Sequence, residues 1–310
     1  MKHLKIVLIA ATFAFCVTLL PVGAEENEGV KFIFNPPAPL TFTEETIAKR
    51  ATIAADVDPD VETSKLVTRV NLDKVQDGYS YSMQPLSFIV EKAGKVINDP
   101  ILDVIQTNRY VLNIDSAGKV TKVTGQEGVK DAALKIAPKE MAPAIEKMLD
   151  PKLLAEKEIA NWDGRIGDFA GTTAKKNHVW IRQATFPMPT GADGKYYVAS
   201  IFTGMVEKDG RQLARIRFLF TTDQSRLRVQ LNDLARDIVT EIPALQPLPA
   251  SPGFTISGQG ERLIDPATML IYEEKAERNV QITVAAGKDS STSVIIEEFR
   301  ETKVSGLPVK

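Results

Sequence analysis

Turn-forming residues recur along this chain at short intervals, and that punctuation limits the fold more than any other feature of the sequence. Asp77-Gly78, Ala93-Gly94, the DSAGK stretch at 115–119, Asp193-Gly194, Asp209-Gly210 and the GKDSS stretch at 287–291 each favour a tight reversal. Between turns, apolar and polar residues alternate. Leu227, Val229 and Leu231 stand against Arg226, Arg228 and Gln230, and Val280, Ile282 and Val284 against Gln281 and Thr283. A period of two describes half-buried strands, and an antiparallel meander or barrel follows. Its clearest unit is a hairpin of 196–207 and 212–220 closed by Asp209-Gly210, because Asp-Gly tolerates the positive φ of a two-residue turn.

One stretch departs from this pattern. In 128–161, Val129, Ala132, Ala133 and Ile136, then Met141, Ile145, Met148 and Leu149, follow helical spacing. Asp150-Pro151 then offers an N-cap and an N1 proline. The fold class expected is therefore α+β and mostly β, a long curved antiparallel sheet wrapped around a short helical insert. Four prolines in 243–252 cannot donate to a ladder and mark an extended loop or a domain boundary.

The N-terminus reads as an export address. Met1 to Lys5 carry two lysines, an apolar run of about 15 residues follows, and Val22-Gly23-Ala24 offers small residues for cleavage before Glu25-Glu26. That run is short for a membrane-spanning anchor and breaks at Pro21. Cys16 lacks the preceding small residue of a lipoprotein signal. The expected organisation is a signal peptide 1–24 cleaved after Ala24, a solvated spacer 25–39, one β-rich domain 40–303 and a tail 304–310, in a periplasmic or secreted protein that does not span the membrane.

Composition then narrows the chemistry. The chain has 310 residues, one Cys and two His. Loss of residues 1–24 removes Cys16 and His3, leaving His178 alone, so disulfides, thiolate metal sites, Cys nucleophiles and paired-His zinc sites are excluded. A net charge of −2 supplies no overall basic field for nucleic acid. No Walker A sequence and no Gly-x-Ser-x-Gly elbow occurs. Gly258-Gln259-Gly260 lacks the third glycine of a dinucleotide turn and suits a bulge or a tight sheet bend. The DVDPD stretch at 56–60 lacks the glycine and terminal Glu of a calcium loop and reads as an acidic turn. No metal or cofactor is expected. His178 reads as a surface or structural histidine, and the 40 acids leave a carboxylate-dependent hydrolase as a remote alternative.

Two groups of residues invite a binding reading. If 226–231 is a strand, Arg215, Arg217, Arg226 and Arg228 share one outer face of a hairpin. They would hold a lipid head group or a partner's carboxylates, or be neutralised by a neighbouring strand through Glu297 and Glu298. The stripe Met141, Ile145, Met148, Leu149, Leu153 and Leu154 would either cover an apolar ligand or pack as ordinary core. A short echo also links 113–120 with 263–270, both reading strand, Ile-Asp-x-Ala turn, strand, as a duplication or by chance.

The IDSAGKVTKVTG stretch at 114–125, the helical insert and the GQGERLIDPAT stretch at 258–268 resemble bacterial exported β-proteins of unknown function. Their shape is similar to that of lipoprotein carriers of the LolA and LppX type. This resemblance implies an open half-barrel whose concave face is covered by helices and holds acyl chains, and it brings no catalytic residues. The function expected is a non-enzymatic extracytoplasmic protein that binds a hydrophobic or lipid-like ligand in the concavity. The alternative is a structural or interaction module docking to an envelope protein through a sheet edge or the arginine face.

Overall fold

The computed structural model describes residues 29–54, 57–98, 100–106, 108–187, 193–249, 251–285 and 291–308. The signal-peptide assignment, residues 25–28 of the expected spacer, Asp56 of the acidic turn and 287–290 of the GKDSS turn lie outside them.

The first half of the chain runs β1 (Val30–Lys31), β2 (Leu40–Ala54), β3 (Asp60–Val75), β4 (Gly78–Lys92), β5 (Lys95–Val96), α1 (Pro100–Gln106), β6 (Tyr110–Asp115) and β7 (Val120–Thr124). The helical insert follows as α2 (Val129–Ile136), α3 (Ala142–Met148) and α4 (Pro151–Trp162), the last continuing into a π turn, Asp163–Gly167. The second half is β8 (Thr173–Ala174), β9 (Val179–Pro187), β10 (Asp193–Lys208), β11 (Arg211–Thr221), α5 (Leu227–Ala235), β12 (Phe254–Ile264), β13 (Ile271–Ala285) and β14 (Ser291–Ser305).

Eleven strands form one antiparallel path in the order β7-β6-β4-β3-β2-β14-β13-β12-β11-β10-β9, with β5 on β4. Among the described residues the terminal strands β7 and β9 do not pair, so the sheet is not a closed barrel. Its curvature brings distant strands together. Phe186 on β9 stacks on Phe254 of β12 at 5.7 Å, and the Arg278 guanidinium of β13 sits 5.7 Å from the Phe186 ring.

The Asp209-Gly210 hairpin forms as expected. Both turn residues are left-handed, at φ 51° and 71°, between the paired Lys208 and Arg211. At the 77–78 reversal the turn residues are Gln76 and Asp77, and Gly78 opens β4 at φ 153°. A Cβ there would lie 2.0 Å from the Ile114 carbonyl oxygen. The echoed Ile-Asp-x-Ala segments fold alike, since the Asp115 and Asp265 carboxylates each accept the amide two residues on, both at 2.9 Å. Gly258 and Gly260 are not a bulge, for the register shift lies between Leu263 and Ile264. They admit close neighbours, and a Cβ on Gly260 would meet the Phe218 ring at 2.4 Å.

Three expectations are corrected. Residues 227–231 are helical, in α5. Leu227, Leu231 and Leu234 at i, i+4 and i+7 bury against Val179, Ala199, Ile201 and Leu219, whereas Val229 stays 62% exposed. The Asp223 side chain accepts the Arg226 amide at 3.1 Å and caps the turn leading into this helix. The solvated spacer fails over its described part, because β1 pairs with β8 and Phe32 and Phe34 are buried among Tyr79, Trp162, Phe169, Trp180 and Phe202. The tail is also engaged, with Leu307 packed on the core and the Pro308 carbonyl accepting from Arg211.

Candidate functional site on the concave face

Antiparallel register lets the inner face be followed in rows across the central strands, because residues directly opposite share a face. One row reads Arg262, Glu274, Thr302, Thr46, Leu66, Phe88. The next reads Gly260, Ala276, Arg300, Ala48, Ser64, Val90, and the one beyond it Arg278, Glu298, Arg50, Glu62, Lys92.

At one end this face is sealed by α4 and its π turn. Asp150 caps α4 by accepting the Lys152 and Leu153 amides at 3.0 and 3.1 Å. Trp162, at the other end of the helix, plugs the core and donates its indole N–H to the Gly118 carbonyl at 2.8 Å. The π turn then lies over Arg262, whose Nη1 donates to the Gly164 and Arg165 carbonyls, both at 3.0 Å. Arg262 Nε meets Glu274 at 2.7 Å, Arg165 bridges Glu274 at 3.5 Å and Glu44 at 3.4 Å, and the Tyr81 hydroxyl donates to Glu44 at 3.4 Å.

Burial pushes the Glu274 carboxyl up, but Arg262, Arg165 and Arg300 outweigh it and hold the carboxyl down to about 2. Burial lowers the Arg262 pKa, and burial beside Glu44 raises that of the Tyr81 phenol. A carboxylate held this firmly ionised is unsuited to general-acid work, which needs a raised pKa.

At the opposite end the face closes on itself. Tyr196, Val198, Phe254, Ile256, Val280, Ile282 and Ile296 bury one another as the sheet curls. Between the two packed ends no described helix or loop seals the middle. Ala276, Ala48 and Ser64 are half-buried, Arg50 and Arg300 exposed. The floor of this stretch is small side chains, and Leu66 and Phe88, both half-buried, supply its apolar flank. The insert stands beside that flank through α1, which touches β4.

The residues singled out from the sequence separate. Ile145 and Leu149 turn inward and form a small core with Val129 and Ala133, against which Leu154 packs. Met141, Met148 and Leu153 lie on the solvent side, 43%, 60% and 48% exposed. The arginine face does not exist. Arg215 and Arg217 sit on β11 beside Glu261 at 3.5 and 3.9 Å, and Arg217 also donates to the Leu234 carbonyl. Arg226 pairs with Asp223 at 3.4 Å, and Arg228 in α5 donates to the Val239 carbonyl at 3.0 Å. The four do not share a face, because 227–235 is a helix rather than the second arm of a hairpin. Neutralisation from a neighbouring strand does hold for Arg215 and Arg217, but through Glu261 of β12 rather than the expected Glu297 and Glu298, and Glu298 serves Arg278 and Arg50 on the inner face.

His178 is exposed and edge-on to Trp180 at 4.7 Å, with its pKa lowered by desolvation. Among the described residues no group of three His, Cys, Asp or Glu is placed to hold a metal. Also among them, no helix is long and apolar enough to cross a membrane.

Sequence reasoning missed the inner-face charges, although their signal was present. Glu44 falls in the apolar phase of Leu40 and Phe42, and Arg262 in that of Ile256 and Ile264. A charge in the buried phase of a strand needs a partner.

No protein-family model matches the chain, and no curated protein matches it. Among solved structures, a study of lipid–protein interactions in lipovitellin matches at 10% identity and TM-score 0.41, over 89% of this chain and 26% of that one. This chain thus spans about a quarter of the lipovitellin chain. A putative exported protein with a YmcC-like fold from Bacteroides fragilis matches at 12% identity and TM-score 0.25, over 86% and 97% of the two chains. The β domain of the Bordetella autotransporter BrkA matches at 7% and 0.23, over 86% and 98%. None of these scores assigns a shared fold, so the chemistry of the site is read from this chain's own residues.

Proposed function

We propose that this is a non-enzymatic extracytoplasmic binding protein that takes a lipid-like, amphipathic ligand on the uncovered middle of its concave face. The observation that carries this is the contrast along one face of the long central strands, which is packed at both ends and floored by Ala48, Ala276 and Ser64 between them. Small residues in a row leave room, and Leu66 and Phe88 give an acyl chain an apolar wall. Burial of apolar ligand surface then contributes about 25 cal/mol per Å² before the costs of association.

The test is native mass spectrometry of the exported chain purified without detergent, before and after a phospholipid and fatty-acid mixture is offered. Wild type is expected to carry a lipid adduct, and Ala48→Trp with Ala276→Trp, which fills the floor, to lose it while unfolding at the same temperature. A wild type that stays free of lipid, or a filled variant that binds as well, overturns the proposal.

A second reading is favoured by the exposed Met141, Met148 and Leu153 on the insert. There the insert docks to another envelope protein. It predicts that charged substitutions at these three positions leave lipid adducts untouched and abolish partner capture in the envelope.

A further inference from the structure

We infer that the ligand carries an oxyanion head group, a carboxylate or phosphate, and that Arg300 is the residue that recognises it; this deepens the reading of the concave face as a binding site and rests on it. Three adjacent rows cross the open concave face. They hold five cations, Arg262, Arg300, Arg278, Arg50 and Lys92, against three carboxylates, Glu274, Glu298 and Glu62. Lys92 has its own partner in Asp60 of the following row, at 2.5 Å. One guanidinium is left over.

Geometry identifies it as Arg300. Its two cross-strand neighbours are Ala276 and Ala48, which offer it nothing. The nearby carboxylates are both committed, Glu274, diagonal to it on β13, to Arg262 and Arg165, and Glu298, two residues back on its own strand, to Arg278 and Arg50. Among the described residues Arg300 makes no ion pair or hydrogen bond and reaches Glu274 only as a charge at longer range, and its side chain is exposed on the concave side. An unmatched guanidinium between guanidinium-bearing rows raises the local potential in a chain whose net charge is −2. It presents a planar fork of donors suited to bidentate pairing with an oxyanion. Leu66 and Phe88 lie on the same face, two and three strands away, so a head group at Arg300 directs its chain along the apolar flank and the insert.

The experiment measures binding of palmitate, phosphatidic acid, hexadecanol and inorganic phosphate alone to wild type, Arg300→Gln and Arg300→Lys, with thermal unfolding confirming that the variants are folded. Wild type is expected to prefer either anionic lipid over hexadecanol by about tenfold or more, the range of one charge-assisted contact. Arg300→Gln should lose that preference while keeping its affinity for hexadecanol, and Arg300→Lys should retain part of it. Which anionic lipid binds more tightly separates carboxylate from phosphate. Unchanged palmitate and phosphatidic acid binding by Arg300→Gln overturns the inference and leaves the lipid-binding reading standing. Inorganic phosphate binding as tightly as phosphatidic acid overturns the amphipathic ligand in favour of a free anion. A wild type that binds none of the lipids overturns both readings.

Discussion

Arg262–Glu274 and Arg278–Glu298 are the same cross-strand pair built two rows apart on one face, and they live in different media. The first is 5% and 10% exposed and lies beneath the π turn, whose carbonyls take up the two Nη1 protons of the guanidinium. The second is 32% and 23% exposed and faces the open stretch. What separates them is the cover supplied by α4. An ion pair taken out of water becomes a requirement of the fold because neither partner tolerates loss of the other, whereas one left wet is nearly interchangeable with water.

This contrast can be broken at several points. Arg262→Met strands Glu274 under the cover and is expected to cost about 3 to 5 kcal/mol in urea unfolding. Acid probes the same pair from the carboxylate side. Glu274 titrates to about 2 in the folded chain and near 4.5 when unfolded, so its contribution is complete above the unfolded value and disappears as pH falls towards 2. That amounts to about 3 kcal/mol, and Glu274→Gln should remove this part of the acid dependence of unfolding. A milder disturbance loosens the cover itself. Asp150→Ala removes the N-cap of α4 at about 1 kcal/mol, and amide exchange should quicken in 151–167 before it quickens in β12 and β13. The smallest effect belongs to the wet pair, where Arg278→Met is expected to cost below about 1 kcal/mol and to fade with added salt.

Much of the sheet could be read locally. The Asp209-Gly210 hairpin followed from two residues whose backbone preference is sufficient, and α4 from a cap and a proline. The errors arose where a short pattern had two solutions or none. Over 227–231, period two and the i, i+4 spacing coincide at Leu227 and Leu231, and only Leu234 and Ala235 beyond the window decide for a helix. Val30, Phe32 and Phe34 alternate with Lys31, Ile33 and Asn35, but the run is short and stops at Pro36-Pro37, and the burial of the two phenylalanines is set by Trp162, Trp180 and Phe202 far along the chain. Arg300 is the extreme case. Its neighbours across the face are known only once β14 is placed between β13 and β2, a long-range fact that no local window contains.

That placement has a kinetic consequence. The first long strand and the last are hydrogen-bonded to each other in the middle of the sheet, and Thr46 meets Thr302 across 256 residues at 2.9 Å. The hairpins on either side of this seam can form from neighbouring segments, but the seam itself closes a loop of nearly the whole chain at an entropic cost of about 5 kcal/mol. Nucleation therefore starts in the two flanking meanders, and their union is the slow step. Until then the row that carries Ala276, Arg300 and Ala48 does not exist as a surface, so the proposed binding face is completed only at the final event of folding.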